Sequence, residues 1–436
     1  MKRRNFTTLA AATTLGVAAA PALSACGSGG SGGSGDGTSL VIWHYENEDS
    51  AMGQAWARAE EIFKEKHPEV TLTVEKQTFE QLQKNAKIVL TGDEVPDLME
   101  YNKGNSTAGQ LASQGLLEPL TEVATEKGWD QKLSESLQTT SRYDEFGLMG
   151  SGDWFGLPNY GEYVYVYYNQ RMFDEAGVAV PTTLEEFETV LQTFVDQGIV
   201  PLAGAGSEYP AGQLWYQLVL AHADRDFVDA FQLFDGEVDW ASDPILAGAQ
   251  RFADWVEKGY LAADSAGLTA EDMGTAFIAG TYPIMFSGSW WFGRLVAEMT
   301  DDWGQFLFPG SDLTIGSSGN LWVVPANAAN KDLAYEFMDI TMSQEVQDIL
   351  GQKGGLPVAG DISAIEDDKT REMTENFTAV NDADGLAFYP DWPVPGFYDQ
   401  VVSAMQSLIN GSQTPADAMA ELGTAYATGR TDLTGE

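Results

Sequence analysis

Tryptophan is the residue type in this sequence best suited to ligand chemistry, and there are 12 of them in 436 residues. Five have Gly, Pro, Ser or Asn close by, a context typical of loops: Trp215, Trp290, Trp291, Trp322 and Trp392. A flat indole stacks on the apolar C–H face of a pyranose ring, while nearby Asp, Glu and Asn side chains hydrogen-bond the hydroxyls. The loop tryptophans therefore predict a sugar-binding surface, with Trp290 and Trp392 as the strongest candidates.

No catalytic motif accompanies these tryptophans. The three histidines, His44, His67 and His222, lack the HExxH spacing of a metalloprotease, and the Gly-Ser-Trp segment at 288–290 lacks the second glycine of a nucleophile elbow. Outside the Gly/Ser linker there is also no GxGxxG, and no Walker A phosphate loop is present. The main prediction is a binding protein without enzyme activity, cofactor or metal. A carboxylate pair among the 65 acidic residues keeps an extracellular glycosidase or lyase open as the alternative.

The N-terminal residues predict export and lipid anchoring. A basic start at residues 2–4 precedes an apolar stretch from Phe6 to Ala22 that is too short for a stable transmembrane span, and a Leu-Ser-Ala-Cys lipobox ends at Cys26. We therefore predict a signal peptide over residues 1–25, a lipid on Cys26, and a flexible Gly/Ser linker over residues 26–38. The paired arginines leave both the general and the twin-arginine export routes open. The expected location is the extracellular face of the cell membrane.

The charge of the chain excludes several partner classes. With 65 acidic and 23 basic residues the formal net charge is −42, so electrostatic binding to nucleic acid or to anionic lipid is not expected. Cys26 is the only cysteine, which excludes intramolecular disulfides. A chain of this length with 44% hydrophobic residues can form two domains with cores of their own.

Hydrophobic periodicity predicts the elements that must position the loop residues. Leu40 to Tyr45 is an apolar run typical of a strand buried on both faces, and apolar residues spaced by 3 and 4 from Met52 to Phe63 predict a helix. A strand from Val70 to Glu75, a helix from Phe79 to Leu90 and a strand from Val95 to Met99 follow. This alternation predicts a parallel sheet with ligand-binding loops at the carboxyl ends of its strands.

A second α/β region begins near Trp154. The run from Tyr163 to Tyr168 predicts a strand, and a capping box at Thr183–Glu186 predicts the start of a helix whose apolar stripe ends at Val195. Trp56 and Trp255 lie on helical apolar stripes and are expected in the core. Further helices are predicted at Ile245–Lys258, Leu333–Met342, Gln344–Leu350, Tyr398–Asn410 and after Pro415.

A series of short motifs extends over essentially the whole exported chain. They are Leu40–Trp43, Pro96–Leu98, Gly115–Leu120, Gly156–Pro158, Val166–Asn169, Met172–Gly177, Pro181–Phe187, Phe277–Gly280, Ser287–Trp290, Gly319–Trp322, Ala334–Phe337 and Gly354–Pro357. In order and spacing together, they resemble family 1 of the extracellular solute-binding proteins, the maltose-binding-protein-like lipoproteins that serve sugar-uptake ABC transporters.

The resemblance implies an α/β, two-lobed periplasmic-binding-protein-like fold of type II. Two α/β domains would be joined by a hinge, with the ligand in the cleft between them. Lobe 1 would comprise residues 39–152 plus 310–350, and lobe 2 residues 153–309 plus 351–436. The implied function is to capture an extracellular carbohydrate, expected to be an oligosaccharide, by hinge closure and to deliver it to ABC permease subunits, with the protein acting as a monomer.

The resemblance also implies a set of ligand-binding residues. Aromatic side chains of lobe 2 would stack on the sugar, and polar groups of lobe 1 would hydrogen-bond it. The implied residues are His44, Tyr45, Glu46, Asn47, Glu48, Tyr101, Asn102, Glu162, Tyr163, Trp215, Trp290, Gly319, Asn320, Trp322, Trp392 and Phe397. Cys26 is predicted to carry the lipid. The protein is expected to contact the membrane only through this lipid.

Overall fold

The computed structural model describes residues 37–92 and 94–435. The predicted signal peptide, Cys26 and nearly all of the Gly/Ser linker lie outside these residues. Among the helices of the described ranges, none combines the length and apolar character needed to cross a bilayer.

The described residues form strands and helices in the alternation typical of α/β proteins. The strands are β1 Ser39–His44, β2 Thr71–Lys76, β3 Leu98–Tyr101, β4 Arg142–Tyr143, β5 Asp153–Trp154, β6 Leu157–Pro158, β7 Gly161–Asn169, β8 Leu202–Ala203, β9 Ile284–Gly288, β10 Trp303–Phe306, β11 Gly316–Ser318 and β12 Leu321–Val323. The helices are α1 Ala51–Lys66, α2 Phe79–Leu90, α3 Gln110–Ser113, α4 Thr121–Lys127, α5 Trp129–Lys132, α6 Glu135–Gln138, α7 Gln170–Ala176, α8 Leu184–Asp196, α9 Tyr209–Leu220, α10 Arg225–Gln232, α11 Asp243–Glu257, α12 Ala270–Ile278, α13 Phe292–Glu298, α14 Lys331–Thr341, α15 Gln344–Gln352, α16 Asp368–Asp382, α17 Phe397–Ile409 and α18 Pro415–Thr434.

The first sheet has the strand order β2-β1-β3-β12-β6. Strand β1 pairs in parallel with both β2 and β3, which confirms the predicted crossover units, whereas β12 runs antiparallel to β3 and β6. Helix α1 begins where the Ser50 hydroxyl accepts a hydrogen bond from the amide of Gly53. It buries Trp56 and Phe63 against α14 and α15, so Trp56 lies in the core as predicted. This sheet and its helices form lobe 1.

The second sheet has the order β10-β7-β9-β8, with β11 also paired to β7. Strand β7 contains the predicted run of tyrosines, and its partners β9, β10 and β11 are all antiparallel to it. Helix α8 buries the predicted stripe from Leu184 to Phe194, and Trp255 of α11 packs edge-on against Phe187 with ring centroids 5.8 Å apart. This sheet, with helices α7 to α12 and α16 to α18, forms lobe 2.

The chain crosses between the two sheets in three neighbouring segments. The first crossing contains Tyr160, between β6 and β7, and the second contains Gly319, between β11 and β12; the amide of Gly319 donates to the carbonyl of Tyr160 over 2.6 Å. The third follows α15, where the carbonyl of Leu356 accepts from the amide of Gly161 over 2.8 Å. The boundaries at 153 and 310 were implied by the family resemblance, and the pairing of β11 with β7 places residues 316–318 in the second sheet.

Three expectations about individual elements need correction. Trp215 lies on helix α9 and Trp322 on strand β12 rather than in loops, because both side chains fill the core and their Gly and Pro neighbours do not interrupt the elements. Strand β1 is not buried on both faces, since Leu40 and Ile42 are buried while the alternate residues are only half-buried. At the start of α8 the Thr183 hydroxyl accepts from the amide of Glu186 as predicted, but the Glu186 carboxylate accepts from Thr182 instead of closing the box on Thr183.

Candidate ligand site between the lobes

The carboxyl ends of β1 and β3 supply the lobe 1 side of the candidate site. Tyr45 and Glu46 follow β1, and Asn102 and Lys103 follow β3. Because neighbouring parallel strands end at the same edge of a sheet, these side chains lie together. The amide of Tyr45 donates to Oε2 of Glu100 on β3 over 3.2 Å, which joins the two loops.

Lys103 is the centre of the site. Its side chain is 1% exposed, and its ammonium forms an ion pair with the carboxylate of Glu162 at the start of β7 and donates to Oδ1 of Asn320 over 3.0 Å. The ammonium also lies 5.2 Å from the ring centroid of Trp392 and 5.5 Å from that of Tyr389. Burial lowers the pKa of Lys103, and Glu162 opposes that shift. One lysine of lobe 1 therefore contacts two aromatic rings and a carboxylate of lobe 2.

Carboxyl groups outnumber ammonium groups around this lysine. Glu46, Glu100, Glu162 and Asp391 interact electrostatically with it and with one another. Burial raises the pKa of Glu46 to about 7 and that of Asp391 to about 6. Burial, and then the charge of Glu46, raises the pKa of Glu100 well above its ordinary value. With their raised pKa values, Glu46, Glu100 and Asp391 hold protons more readily than exposed carboxyl groups, so they can donate as well as accept hydrogen bonds.

The lobe 2 side of the site is aromatic. Trp290, in the turn that follows β9, is half-buried and donates through Nε1 to the hydroxyl of Tyr209 over 3.2 Å. Its ring centroid is 6.4 Å from that of Tyr389, which lies 4.9 Å from Trp392. A side chain at Gly288 would come within 2.0 Å of the indole, so glycine at this position gives the Trp290 ring its space. The aromatic row faces Lys103 and its carboxyl neighbours.

We define the interlobe cluster by these residues, which come from seven separate parts of the chain. Its members are Tyr45, Glu46, Glu100, Asn102, Lys103, Glu162, Tyr209, Trp290, Asn320, Tyr389, Asp391 and Trp392. The hydroxyl of Tyr45 and Oε1 of Glu100 are shielded from solvent and have no hydrogen-bond partner in the described part of the chain. A buried polar atom without a partner costs about 1–3 kcal/mol, so both favour a polar ligand that would pair with them.

Seven of the residues predicted from sequence belong to this cluster. They are Tyr45, Glu46, Asn102, Glu162, Trp290, Asn320 and Trp392. Two others lie on its lobe 1 rim: Asn47 and Glu48 are exposed, and Oδ1 of Asn47 accepts from the ammonium of Lys76 over 2.5 Å. Gly319 lies in the second crossing segment, where its amide bonds to Tyr160.

The remaining predicted residues pack into the two lobes. In lobe 1, His44 lies edge-on to Trp56 with centroids 5.5 Å apart, Tyr101 is buried beside α2 and α3, and Trp322 packs on Trp56 at 4.7 Å. Burial, and then Lys76, lowers the pKa of His44 to about 4. These side chains support the first sheet.

The lobe 2 residues in this group lie in its core. The hydroxyl of Tyr163 donates to the carbonyl of Met373 on α16 over 3.0 Å. Phe397 packs with Phe231, Trp240 and Tyr426, and Trp215 on α9 is 1% exposed. Tyr163, Trp215 and Phe397 therefore support the lobe rather than line the cluster.

Sequence reasoning missed Glu100, Lys103, Tyr209, Tyr389 and Asp391. Lys103 directly follows the predicted pair Tyr101 and Asn102, so its position at a strand end was an available signal. Tyr389 and Asp391 had no such signal, because they lie in an irregular segment after α16 that only the packing of lobe 2 brings to the cluster. Within the described ranges, no group of His, Cys, Asp and Glu side chains is arranged to hold a metal ion.

Comparison with known proteins agrees with this architecture. A model of the family described as bacterial extracellular solute-binding protein matches residues 45–348. A "Probable sugar-binding periplasmic protein" of Rhizobium meliloti is 34% identical over 121 residues, which are 28% of each chain. A protein of the same description from Brucella suis is 24% identical over 217 residues, or 49% of each chain. This chain therefore spans about half or less of the length of these curated relatives.

Solved structures match over nearly the whole chain. A chitin oligosaccharide binding protein superposes with a TM-score of 0.78 at 22% identity, covering 91% of this chain and 99% of its own. The GacH receptor of Streptomyces glaucescens superposes with a TM-score of 0.73 at 21% identity, covering 92% and 99%. At these identities the matches show the fold, which is the two-lobed one of solute-binding proteins. With the family model covering more than half of its length, the chain belongs to the bacterial extracellular solute-binding protein family.

Proposed function

We propose that this protein is the substrate-binding component of an ABC transporter that captures an extracellular oligosaccharide and delivers it to a permease. One observation carries the proposal: the interlobe cluster combines an aromatic row, Tyr389, Trp392 and Trp290, with two shielded polar atoms, the Tyr45 hydroxyl and Oε1 of Glu100, that have no hydrogen-bond partner among the described residues. Sugars present both an apolar ring face and several hydroxyls, so they match both halves of this cluster.

The relatives support a sugar as the ligand. The Rhizobium and Brucella proteins are described as probable sugar-binding periplasmic proteins, and one structural neighbour as a chitin oligosaccharide binding protein. An ABC substrate-binding protein from Listeria monocytogenes, solved with cycloalternan, has a TM-score of 0.72 at 20% identity. These descriptions support an oligosaccharide ligand and a transporter partner.

We propose that binding and lobe closure are coupled. Lys103 of lobe 1 contacts Glu162, Tyr389 and Trp392, which belong to lobe 2 or its border. A sugar that bonds both sides of this cluster stabilises the closed form, which the permease would recognise. The lipid on Cys26 would keep the protein at the extracellular face of the membrane, next to its permease.

A thermal-shift screen against a panel of oligosaccharides tests the proposal. A ligand at 100 times its Kd adds about 2.7 kcal/mol to the free energy of unfolding, so a true ligand raises the melting temperature clearly. Reducing ends are measured in the same mixtures. Stabilisation without new reducing ends supports a binding protein, whereas steady release of reducing ends supports the glycosidase alternative. If no sugar in the panel raises the melting temperature, the proposal is contradicted.

The substitution Trp290→Ala tests the stacking surface. We expect it to weaken binding of the identified sugar at least tenfold, about 1.4 kcal/mol, because the half-buried indole supplies an apolar face. Trp290→Phe is the matched control and should retain part of the affinity, since a smaller aromatic face remains. Calorimetry measures both affinities. Equal affinity in the alanine variant and the unaltered protein would show that Trp290 does not touch the sugar.

A further inference from the structure

A cavity adjoins the interlobe cluster, between the first turns of α2 in lobe 1 and the start of α17 in lobe 2. Its volume is about 140 Å³, and Glu80, Gln83 and Lys84 of α2 and Tyr398 of α17 line it. One buried water needs a cavity volume of about 10–15 Å³, so this cavity has room for a group many times larger than one water.

The wall of this cavity contains an amide without partners. Both side-chain atoms of Gln83, Oε1 and Nε2, are shielded from solvent and make no hydrogen bond with any residue that the structure describes. A glutamine amide can donate two hydrogen bonds and accept two, and leaving such atoms buried and unpaired costs free energy. The apolar stripe of α2 consists of Leu82, Ala86 and Leu90, whereas Gln83 is one of the residues that line the cavity, with its amide atoms just behind the cavity surface.

The cavity is continuous with the interlobe cluster. Asn102 and Asp391 line it, and they are the immediate sequence neighbours of Lys103 and Trp392 at the centre of the cluster. The hydroxyl of Tyr398 donates to Oε1 of Glu80 over 3.1 Å, so the two lobes are hydrogen-bonded along the cavity wall. A ligand that extends out of the cluster on this side enters the cavity.

We propose that this cavity is a subsite for one further neutral sugar unit of an oligosaccharide whose other units contact Trp290 and Trp392. The Gln83 amide would hydrogen-bond two hydroxyls of that unit. The lining contains three acids, Glu80, Asp391 and Asp399, and one ammonium, that of Lys84, which disfavours an anionic unit such as a uronic acid. The inference rests on the proposed function, because it assumes that the neighbouring cluster binds sugar.

Calorimetry with malto-, xylo- and chito-oligosaccharides of two to six units tests the subsite. The full-length protein is compared with Gln83→Ala and with Gln81→Ala, a matched control on the exposed face of the same helix. In the series that binds, we expect one added unit to tighten binding about tenfold in the unaltered protein and in Gln81→Ala, as two additional hydrogen bonds allow. Gln83→Ala should lose this gain and retain the affinity for the shorter sugar.

Three results would overturn the inference. If Gln83→Ala weakens short and long sugars equally, or neither of them, the added unit does not contact Gln83, and the proposed function still stands. If an added uronic acid unit tightens binding as much as a neutral one, the lining does not select by charge. If no series binds at all, the proposed function fails together with the subsite. Gln83→Leu, which preserves the shape of the side chain, replaces Gln83→Ala if the alanine variant melts at a lower temperature.

Discussion

Lys103 contacts both halves of the candidate site. Lys103 is buried, and its ammonium reaches Glu162 and Asn320 while lying over the rings of Tyr389 and Trp392. Removing one partner of a buried ion pair leaves an uncompensated charge, which destabilises proteins by about 3–5 kcal/mol. The lysine therefore joins the two lobes as well as contributing its charge to the cluster.

Glu46 gives the protein a pH dependence that can be measured without a ligand. Burial raises the pKa of this half-buried carboxyl from 4.5 to about 7. Between these values the folded protein holds a proton that the unfolded chain has released, so the free energy of unfolding falls as the pH rises. Between pH 4.5 and 7, we expect the free energy of unfolding of Glu46→Gln to fall by about 1–2 kcal/mol less than that of the unaltered protein, after solvent screening is allowed for. The melting temperature of the variant should therefore fall less over this range.

The control for this prediction is Glu48→Gln. Glu48 lies two residues further along, on the exposed rim, so its substitution removes the same negative charge without removing a buried carboxyl. Melting curves of the three proteins across this pH range give the comparison. If the melting temperatures of Glu46→Gln and of the unaltered protein change in parallel with pH, the pKa of Glu46 is not raised in the folded protein.

The elements that carry the site meet through closely packed backbone. The loop after β3 approaches lobe 2 so closely that a side chain at Gly104 would come within 2.6 Å of Trp392. The next residues extend the contact: the amide of Ser106 donates to the carbonyl of Trp392 over 2.9 Å, and the Asn105 amide donates to the carbonyl of Pro393 over 3.2 Å. This contact between the lobes therefore requires a glycine at position 104.

We expect Gly104→Ala to weaken sugar binding about tenfold, because the added methyl pushes Trp392 away and opposes closure. Its φ of 106° adds backbone strain for any residue with a side chain. Gly115→Ala is the control, since its φ is also positive at 67° but nothing lies within 4 Å of the added methyl. That control should lose about 1 kcal/mol of stability and retain its affinity in calorimetry. Unchanged affinity in Gly104→Ala would show that closure does not depend on this contact.

The whole molecule has far more negative than positive charge. Its formal net charge is −42, and many of its ion pairs in the described residues are exposed pairs such as Arg58 with Glu61, which contribute little to stability. Repulsion between like charges destabilises a compact chain, and salt screens it over roughly 8–10 Å at physiological ionic strength. The ligand that we propose is neutral, so the same repulsion should not affect its binding.

This charge balance predicts opposite salt responses for stability and for binding. Raising NaCl from about 0.02 M to about 0.5 M should increase the melting temperature, because it screens the self-repulsion. The affinity for a neutral oligosaccharide should change less than twofold over the same range, as measured by calorimetry. A steep loss of affinity with salt would instead indicate a cationic ligand attracted by the carboxyl groups around Lys103.

Local patterns in the sequence were sufficient to predict the class of fold and some residues of the candidate site. Alternating periodicities predicted the parallel units of the first sheet, and the end of one of those strands predicted Asn102 as a residue near the ligand, whereas Tyr45 and Glu46 were implied by the family resemblance. A glycine and a serine before Trp290 indicated a turn, and this tryptophan does lie in the turn after β9. Such signals survive in sequence because burial repeats with the geometry of each element.

Only the tertiary structure decided which aromatic and charged residues meet. Trp215 and Trp322 had the same local context as Trp290, yet they fill the cores of their lobes, whereas Tyr389 and Asp391 reach the cluster from an irregular segment far along the chain. The ion pair of Lys103 with Glu162 joins residues from different lobes. The physical reason is that periodicity reports how each element is buried, whereas the cluster depends on how distant segments pack across the hinge.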